Sequence, residues 1–208
     1  MENFTITISR GFGSGGRIIG QMLAERLGIS FYDRKLIELA SEESGINIEL
    51  FGKADERKKT ALFGRYNRSY GERLISPESG DFTSDDNLFN YQAKIIKSLA
   101  AKESCVIVGR CADYVLRDTP NVLRVFAYAS REFCIKKVEE LFSLSRRDAE
   151  KQIDKIDRAR STYYRYYTGH EWDNARNYDL CLNTELLGFE RCVDLIVDYL
   201  KVLYPDLK

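Results

Sequence analysis

A strand, a glycine-rich loop and a helix follow one another without a break near the start of the chain. Phe4, Ile6 and Ile8 alternate with polar residues, the two-residue period of a strand, and apolar residues at helical spacing then continue to Leu27. Glycines between the two patterns let the backbone wrap closely around an anion and point its N–H groups at it. The helix that follows adds a dipole that favours negative charge. These features predict a phosphate-binding loop. Its residues are Gly11, Gly13, Ser14, Gly15, Gly16, Arg17 and Ile18.

The loop keeps the glycine spacing of the motif G-x-x-x-x-G-K-[ST] but changes two of its chemical groups. Arg17 stands where the motif has lysine, and it can still place a permanent positive charge on a phosphate group. Ile18 replaces the hydroxyl that binds Mg²⁺, so we predict no metal-ligating side chain and expect Mg²⁺ to be held through phosphates and water. For the loop taken alone, an ordinary glycine-rich turn is the alternative interpretation.

Length and charge narrow the class of protein. A chain of 208 residues with 44% hydrophobic residues predicts one domain over residues 1–208. Its 32 basic and 32 acidic residues balance, so the whole chain has no electrostatic attraction to nucleic acid or to an anionic membrane. No apolar run approaches the roughly 20 residues of a membrane span, and no signal-peptide pattern is present. We therefore expect a soluble, cytoplasmic protein without a membrane partner.

The cysteines and histidine limit metal and nucleophile chemistry. Five cysteines are spread along the chain, three of them within apolar runs, which predicts reduced thiols in the core. Cys111 follows a predicted loop, and we expect it to be partly exposed. Because His170 is the single histidine and no C-x-x-C pair occurs, the sequence offers few of the residues that a zinc site or a histidine-based catalytic triad needs.

Strand patterns alternate with helical patterns along the chain, which predicts an α/β fold with a parallel sheet. Residues 46–83 interrupt the alternation with basic, aromatic and glycine residues, and we predict a partly helical insertion there. The strand patterns cover residues 4–9, 29–33, 105–108, 122–127 and 178–182; after the first helix, the helical patterns cover 34–45, 85–102, 131–143, 146–163 and 189–203.

Polar residues follow four of these strands, and ligands of parallel sheets bind at the carboxyl ends of strands. Residues 10–17 follow the first strand, Asp33 the second, Gly109 and Arg110 the third, and Ser130 with Arg131 the fourth. Three of these ends carry arginine. Their convergence at one edge of the sheet predicts an anion site.

A charged helix near the carboxyl end offers further arginines. Asp154 and Arg158 are four residues apart, and Asp157 and Arg160 are three apart, so each carboxylate can hold an arginine in a fixed direction. Oriented guanidinium groups suit phosphoryl transfer, whose transition state spreads charge over oxygens. A solvated helix with ordinary salt bridges is the alternative interpretation.

Four tyrosines follow on the same segment, at positions 163, 164, 166 and 167. They could form a stacking surface for single-stranded nucleic acid. Because the chain is neutral overall, we favour a role in the core or in docking of subdomains, with the hydroxyls bonding charged neighbours.

Four segments in chain order carry a family resemblance: ITISRGFGSGGR, FYDRKLIE, CVIVGRCADYVL and DRARSTYYRYYTGHEWDNARNYDLCLNT. Together they resemble the cytidylate kinase-like family of P-loop proteins, over most of the chain and least between residues 46 and 83. The resemblance implies a P-loop NTPase fold, a three-layer α/β/α sandwich around a five-stranded parallel sheet. It also implies a helical insertion that binds the nucleoside monophosphate, at residues 46–83, and an arginine-bearing lid, at residues 144–176.

The resemblance implies roles for individual residues. The loop from Gly11 to Arg17 would hold the donor phosphates of ATP. Arg158 and Arg160 would close over the transferring group, with Asp157 orienting them. The helix after the loop is one residue shorter to Gly28 than in authentic cytidylate kinases, so either Gly16 or Arg17 occupies the place of the motif's lysine. The acceptor nucleotide would contact Asp33, Gln92, Gly109 and Arg110.

Three functions follow from these observations. The first is an ATP-dependent phosphotransferase acting on a nucleoside monophosphate or another small acceptor, with Mg²⁺ bridging the phosphates. The second is a nucleotide- or phosphate-binding regulatory protein that has lost the chemistry, because the loop lacks lysine and a hydroxyl. The third is a protein that binds single-stranded RNA through its tyrosines. A homo-oligomer is compatible with the sequence.

Overall fold

The computed structural model describes residues 3–56 and 70–205, apart from the side chains of 54–56. Its strands in these ranges are β1 (Thr5–Arg10), β2 (Ser30–Tyr32), β3 (Cys105–Val108), β4 (Val122–Tyr128) and β5 (Leu180–Asn183). Its helices there are α1 (Gly16–Leu27), α2 (Lys35–Ser44), α3 (Ile48–Glu56), α4 (Asp85–Lys102), α5 (Ala112–Val115), α6 (Arg131–Phe142), α7 (Arg146–Thr168), α8 (Thr184–Leu187) and α9 (Phe189–Leu203).

The five strands form one parallel sheet in the order β2-β3-β1-β4-β5. In the register, Ile8 of β1 lies beside Val108 of β3 on one side and Val125 of β4 on the other. Strand β3 is buried on both faces, as its continuous apolar run predicts. The predicted five-stranded parallel sheet is confirmed.

Helices cover both faces of the sheet and make a three-layer α/β/α sandwich. On one face, Ile6 and Ile8 of β1 pack with apolar side chains of α1 and α9. On the other face, Cys105 and Ile107 of β3 pack with side chains of α4, α5 and α7. Successive side chains of β3 point to opposite faces of the sheet, so this strand contributes to two separate hydrophobic cores. The fold class predicted from the sequence is confirmed.

Local signals in the sequence set the helix ends. Ser84 caps α4, as its position predicts, by accepting a hydrogen bond from the Asn87 N–H. Ser130 and Ser145 cap α6 and α7 in the same way. Gly28 ends α1 in the left-handed conformation. These caps fix where each helix meets the edge of the sheet.

Helix α7 is longer than the sequence pattern indicates. The predicted helix stopped at residue 163, but the helix continues through the tyrosines to Thr168 and ends at Gly169. Tyr164 and Tyr167 are buried in the core that α4 and α5 share. Burial of these rings stabilises the last turns. The expectation that the tyrosines pack in the interior is confirmed for these two.

The proposed insertion at residues 46–83 is described only in part. Helix α3 lies in its first portion, and Tyr70 in its second portion is buried against Phe89. Residues 57–69 of the insertion lie outside the described residues.

Two further expectations can be compared with the structure. Cys111 is buried, and the expectation of partial exposure was wrong, because the residue directly precedes α5 and belongs to the same core cluster as Tyr164 and Tyr167 of α7. All five cysteines are free thiols; four are buried and Cys181 is exposed. Among the described helices, we find none with the length and hydropathy needed to cross a membrane.

Candidate functional site

The carboxyl ends of β1, β2 and β3 bring the predicted site residues to one edge of the sheet. Residues 11–16, which we call the phosphate loop, connect β1 to α1. Asp33 follows β2, and Gly109 with Arg110 follows β3. Since β1 lies next to β3 and β3 next to β2, the loop, the Gly109 turn and Asp33 are neighbours.

Hydrogen bonds hold the phosphate loop in place. The Gly11 N–H donates to the Ala127 carbonyl at 3.1 Å, which ties the loop to β4. The Ser14 hydroxyl donates to the carbonyls of Gly11 at 2.9 Å and Ala127 at 3.1 Å, and its side chain is fully buried. Ser14 is therefore a structural part of the loop, and its hydroxyl points to backbone oxygens.

At two positions of the loop, both the backbone conformation and the neighbouring atoms require glycine. Gly13 and Gly15 have φ of 87° and 81°, the left-handed region. A Cβ on Gly13 would lie 2.7 Å from the Cys134 carbonyl oxygen, and one on Gly15 would overlap the Phe189 ring. Helix α1 begins directly after this turn, and the N–H groups of its first turn have no intrahelical partner. The loop thus presents donors and a helix dipole suited to an anion.

Arg17 lies on the first turn of α1 and pairs with Asp33. Its Nε donates to Asp33 Oδ2 at 2.6 Å, and the arginine side chain is 62% exposed. The pair links the phosphate loop to the end of β2. Two predicted site residues are therefore brought together, and in this conformation they engage each other.

Asp157 of α7 reaches the phosphate loop. Its Oδ1 accepts hydrogen bonds from the Phe12 N–H at 2.9 Å and from an Arg160 nitrogen at 3.3 Å. Burial raises the pKa of Asp157, and these hydrogen bonds and the charges of Arg160 and Arg10 partly oppose that rise. The predicted Asp157–Arg160 contact is present, and it is joined to the loop.

Arg160 is bound between the loop and α7. The nitrogen that contacts Asp157 also donates to the Arg10 carbonyl at 3.0 Å, and the guanidinium lies over the Phe12 ring, 5.5 Å from its centroid. Burial lowers the pKa of Arg160, while Asp157 and Asp33 raise it. Arg160 is thus a partly buried positive charge at the mouth of the loop.

The other predicted carboxylate–arginine pair on α7 does not form. Asp154 pairs with Arg131 at the start of α6, at 2.8 Å, instead of with Arg158. The packing of α6 against α7 decides this choice, because it brings Arg131 over the exposed face of α7. Arg158 is exposed, and the prediction that it pairs with Asp154 was wrong.

Arg10, the last residue of β1, belongs to the segment 10–17 that the sequence places at the site, but the sequence analysis assigned it no role of its own. Its guanidinium lies against Gly109. A Cβ added to Gly109 would be 3.2 Å from Arg10 Cζ. Burial and the like charges of Arg160 and Arg110 lower the pKa of Arg10 from its ordinary value to about 9. The sequence signal for it was its position at a strand end, directly before the glycines.

The turn after β3 has an uncommon backbone. Gly109, Arg110 and Cys111 have φ of 79°, 60° and 52°, three left-handed residues in a row. Such a conformation costs free energy for residues with a Cβ and is concentrated at functional sites. Gln92, which precedes this turn on α4, is buried, and its Oε1 has no hydrogen-bond partner among the described residues.

A second polar cluster lies beside α5, toward the middle of the sheet. Asp113 is buried, its Oδ2 accepts a hydrogen bond from the Tyr164 hydroxyl at 2.6 Å, and burial raises its pKa to about 6. A cavity of about 520 Å³ adjoins it. Its lining includes Asp113, Tyr114, Arg117, Arg124, Tyr164 and His170.

The residues at the phosphate loop fit an indirectly held Mg²⁺. Within residues 3–56 and 70–205, no group of three or more acidic, histidine or cysteine residues could hold a metal ion. The Ser14 hydroxyl is committed to carbonyls, and Ile18 stands at the position of the motif's ligating hydroxyl. A metal ion at this site would be held by phosphate oxygens and water.

Comparison with known families decides where the chain belongs. The sequence profile of the cytidylate kinase-like family matches residues 5–186. The chain belongs to the cytidylate kinase-like family. A search of curated proteins finds no match.

Solved structures share the architecture of this cytidylate kinase-like protein. An uncharacterized protein from Eubacterium ventriosum superposes with a TM-score of 0.68 at 26% identity, over 95% of this chain and 98% of that one. Shikimate kinase from Bacteroides thetaiotaomicron superposes with a TM-score of 0.55 at 14% identity, over 95% of this chain and 98% of the other. The second likeness shows that the fold is shared with a P-loop kinase.

Proposed function

We propose that the protein is an ATP-dependent phosphotransferase that moves the γ-phosphoryl group of ATP to a nucleoside monophosphate, CMP-like, or to another small acceptor. The observation that carries this proposal is the group of arginines beside the phosphate loop. Arg10, Arg110 and Arg160 come from three separate segments; besides burial, the charges of Arg160 and Arg110 lower the pKa of Arg10, and the charge of Arg110 lowers the pKa of Arg160. Such a cluster is stabilised by a polyanion, because each anionic oxygen offsets the repulsion between guanidinium groups. Family membership supports the same class of reaction.

In the proposed reaction, the phosphate loop and the first turn of α1 hold the donor phosphates by backbone N–H groups. Mg²⁺ bound to those phosphates supplies further charge neutralisation. Arg160, held in place by Asp157, faces the transferring group, where charge develops in the transition state. Asp157 acts here as a positioning residue. Arg158 is proposed to join the site when the lid, residues 144–176, closes and excludes water.

The acceptor is proposed to lie on the β2 and β3 side of the loop. Asp33, Gly109 and Arg110 follow these strands, and Gln92 on α4 has an oxygen without a hydrogen-bond partner in the described part of the chain. Arg17 stands between donor and acceptor through its pair with Asp33. The insertion at residues 46–83 is proposed to cover the acceptor. We also infer a cytoplasmic location, which the five free thiols support.

The decisive experiment is a coupled assay with ATP and Mg²⁺ over a panel of nucleoside monophosphates and small alcohols. We expect turnover with at least one acceptor, with CMP as the first candidate. A matched Arg160→Met variant should show turnover about 10² to 10³-fold lower if Arg160 stabilises the transition state. Absence of turnover with every acceptor would remove the phosphotransferase proposal.

A second candidate function is a nucleotide-binding regulatory protein without chemistry. The Ser14 hydroxyl, which donates to backbone carbonyls, and the isoleucine at position 18 favour it, because neither residue offers a hydroxyl to Mg²⁺. This candidate predicts saturable ATP binding in calorimetry that does not depend on Mg²⁺, together with no product in the coupled assay. The single-stranded RNA candidate loses its main support, because Tyr164 and Tyr167 are buried.

A further inference from the structure

The space next to Gly16 is filled by the side chain of Arg10. A Cβ added to Gly16 would lie 2.5 Å from Arg10 Cβ, 3.1 Å from Arg10 Cγ and 3.0 Å from Ala127 Cβ. Gly16 is one of the two positions that could correspond to the motif's lysine. Any side chain at residue 16 would have to start where the stem of Arg10 now runs. Arg10 therefore excludes a side chain from that position.

The guanidinium of Arg10 continues from there toward β3. It lies against Gly109, as the 3.2 Å between Arg10 Cζ and an added Gly109 Cβ shows. Because β1 and β3 are neighbouring strands, this places the charge between the phosphate loop and the turn that carries Arg110. These two segments are the proposed donor and acceptor sides. A phosphoryl group in transit would pass between them.

Arg10 differs in its surroundings from Arg17, the other basic residue at the loop. Arg17 is 62% exposed and is neutralised by Asp33 at 2.6 Å. The Arg10 side chain is partly buried and makes no hydrogen bond or ion pair with the residues that the structure describes. A guanidinium has five N–H donors, and a buried group of this kind normally has partners. The like charges of Arg160 and Arg110 beside it, which Asp33 and Asp157 offset only in part, add to the demand for an anion.

We propose that Arg10 binds the transferable phosphoryl group of the donor and takes the role that the P-loop motif gives to lysine, supplied here from the strand before the loop instead of from the helix after it. In this arrangement Gly16 is glycine because the stem of Arg10 passes there. The inference rests on the proposed function, since it names the residue that contacts the donor in that reaction.

Binding of a non-hydrolysable ATP analogue, measured by calorimetry, tests the proposal without turnover. Arg10→Met should weaken binding by about 10- to 100-fold, the range for loss of a charge-assisted hydrogen bond. The control is Arg26→Met, which removes the same charge from an exposed arginine paired with Asp194 on α9. It should bind within about twofold of the unmodified protein. Arg10→Lys keeps the charge and should bind more tightly than Arg10→Met.

Thermal unfolding of the same proteins distinguishes ligand binding from a structural role. Because burial, and then the like charges of Arg160 and Arg110, disfavour the Arg10 charge more than Asp33 and Asp157 favour it, Arg10→Met should unfold at the same temperature as the unmodified protein or higher. Weaker analogue binding together with a lower unfolding temperature would identify Arg10 as a structural residue and overturn the proposal.

A positional swap tests the equivalence with lysine. Gly16→Lys alone should lose analogue binding, because the new stem meets Arg10. Arg10→Gly with Gly16→Lys removes that overlap and should bind at least about tenfold more tightly than Arg10→Gly alone. Equal binding by the unmodified protein and Arg10→Met would contradict the inference and leave the proposed function intact. If the unmodified protein neither binds the analogue nor transfers phosphate, the proposed function itself fails.

Discussion

The Asp157 carboxylate accepts a hydrogen bond of 2.9 Å from the backbone N–H of Phe12, across 145 positions of sequence. The bond joins the long helix α7 directly to the phosphate loop. Through its second contact, with Arg160, the same oxygen sets the direction of a guanidinium at the mouth of the loop. A change in the loop is therefore coupled to the arginine that would face the transferring phosphoryl group.

Removing this carboxylate should destabilise the protein. Asp157→Ala leaves the Phe12 N–H without its acceptor and Arg160 without its nearest opposite charge. We expect a loss of about 1 to 3 kcal/mol in the free energy of unfolding, measured by urea denaturation. Asp157→Asn keeps an oxygen that can accept the hydrogen bond and should lose less. Equal losses for both variants would show that the hydrogen bond to the loop contributes little.

The buried carboxyl of Asp113 should make stability depend on pH. Its pKa of about 6 is raised above the ordinary value of 3.8, chiefly by burial. Between these pH values the folded protein binds more protons than the unfolded chain, so the free energy of unfolding falls as the pH rises through this window. The fall reaches about 3 kcal/mol and levels off above the folded pKa.

Asp113→Asn isolates this effect, because the amide oxygen can still accept the Tyr164 hydroxyl and has no charge to bury. Urea unfolding at several pH values between about 4 and 7 should give the variant a growing advantage over the unmodified protein. Asp157, whose pKa is also raised by burial, titrates in both proteins and cancels in the difference. A difference that is constant with pH would mean that Asp113 titrates normally in the folded protein.

Gly15 should tolerate no side chain. In Gly15→Ala a residue with a Cβ must adopt the left-handed backbone, which costs about 1 to 2 kcal/mol of free energy. Its Cβ also overlaps the Phe189 ring. Gly28 is the matched control, because it has φ of 65° and no atom within 4 Å of an added Cβ. Thermal unfolding should therefore show a larger loss for Gly15→Ala than for Gly28→Ala. Equal losses in unfolding temperature would show that Phe189 of α9 moves away from the loop at no cost in stability.

The sequence predicts the edge of the sheet where the site lies. Periodicity locates the strands along the chain, and ligands of parallel sheets bind at the carboxyl ends of strands. The sequence also predicts the contact of Asp157 with Arg160, since both lie on one helix. It does not predict that Asp154 pairs with Arg131, because that choice depends on how α6 docks on α7.

The role of Arg10 also depends on tertiary structure. A residue at a strand end points to a site only once its neighbouring strand is known, and β3 lies about 100 residues later in the chain. The same holds for Ser14, whose hydroxyl could serve a ligand until the Ala127 carbonyl is placed beside it.

Arg158 and Arg160 of α7 should contribute unequally to transfer. Arg160 contacts the Arg10 carbonyl and Asp157, whereas Arg158 is exposed in this conformation. Under multiple-turnover conditions, Arg160→Met should lower kcat/KM by about 10² to 10³-fold, and Arg158→Met should lower it less. If Arg158→Met has the larger effect, a lid movement must exchange the two residues at the site.

The most direct test of the proposed phosphotransferase activity is transfer of a radiolabelled γ-phosphoryl group from ATP in a single turnover, with the protein in excess over ATP and one acceptor at a time. We expect labelled product with a nucleoside monophosphate or a small hydroxylated acceptor, and much slower product formation by Arg160→Met and Arg10→Met. Tight binding of ATP without labelled product from any acceptor would contradict the proposed activity.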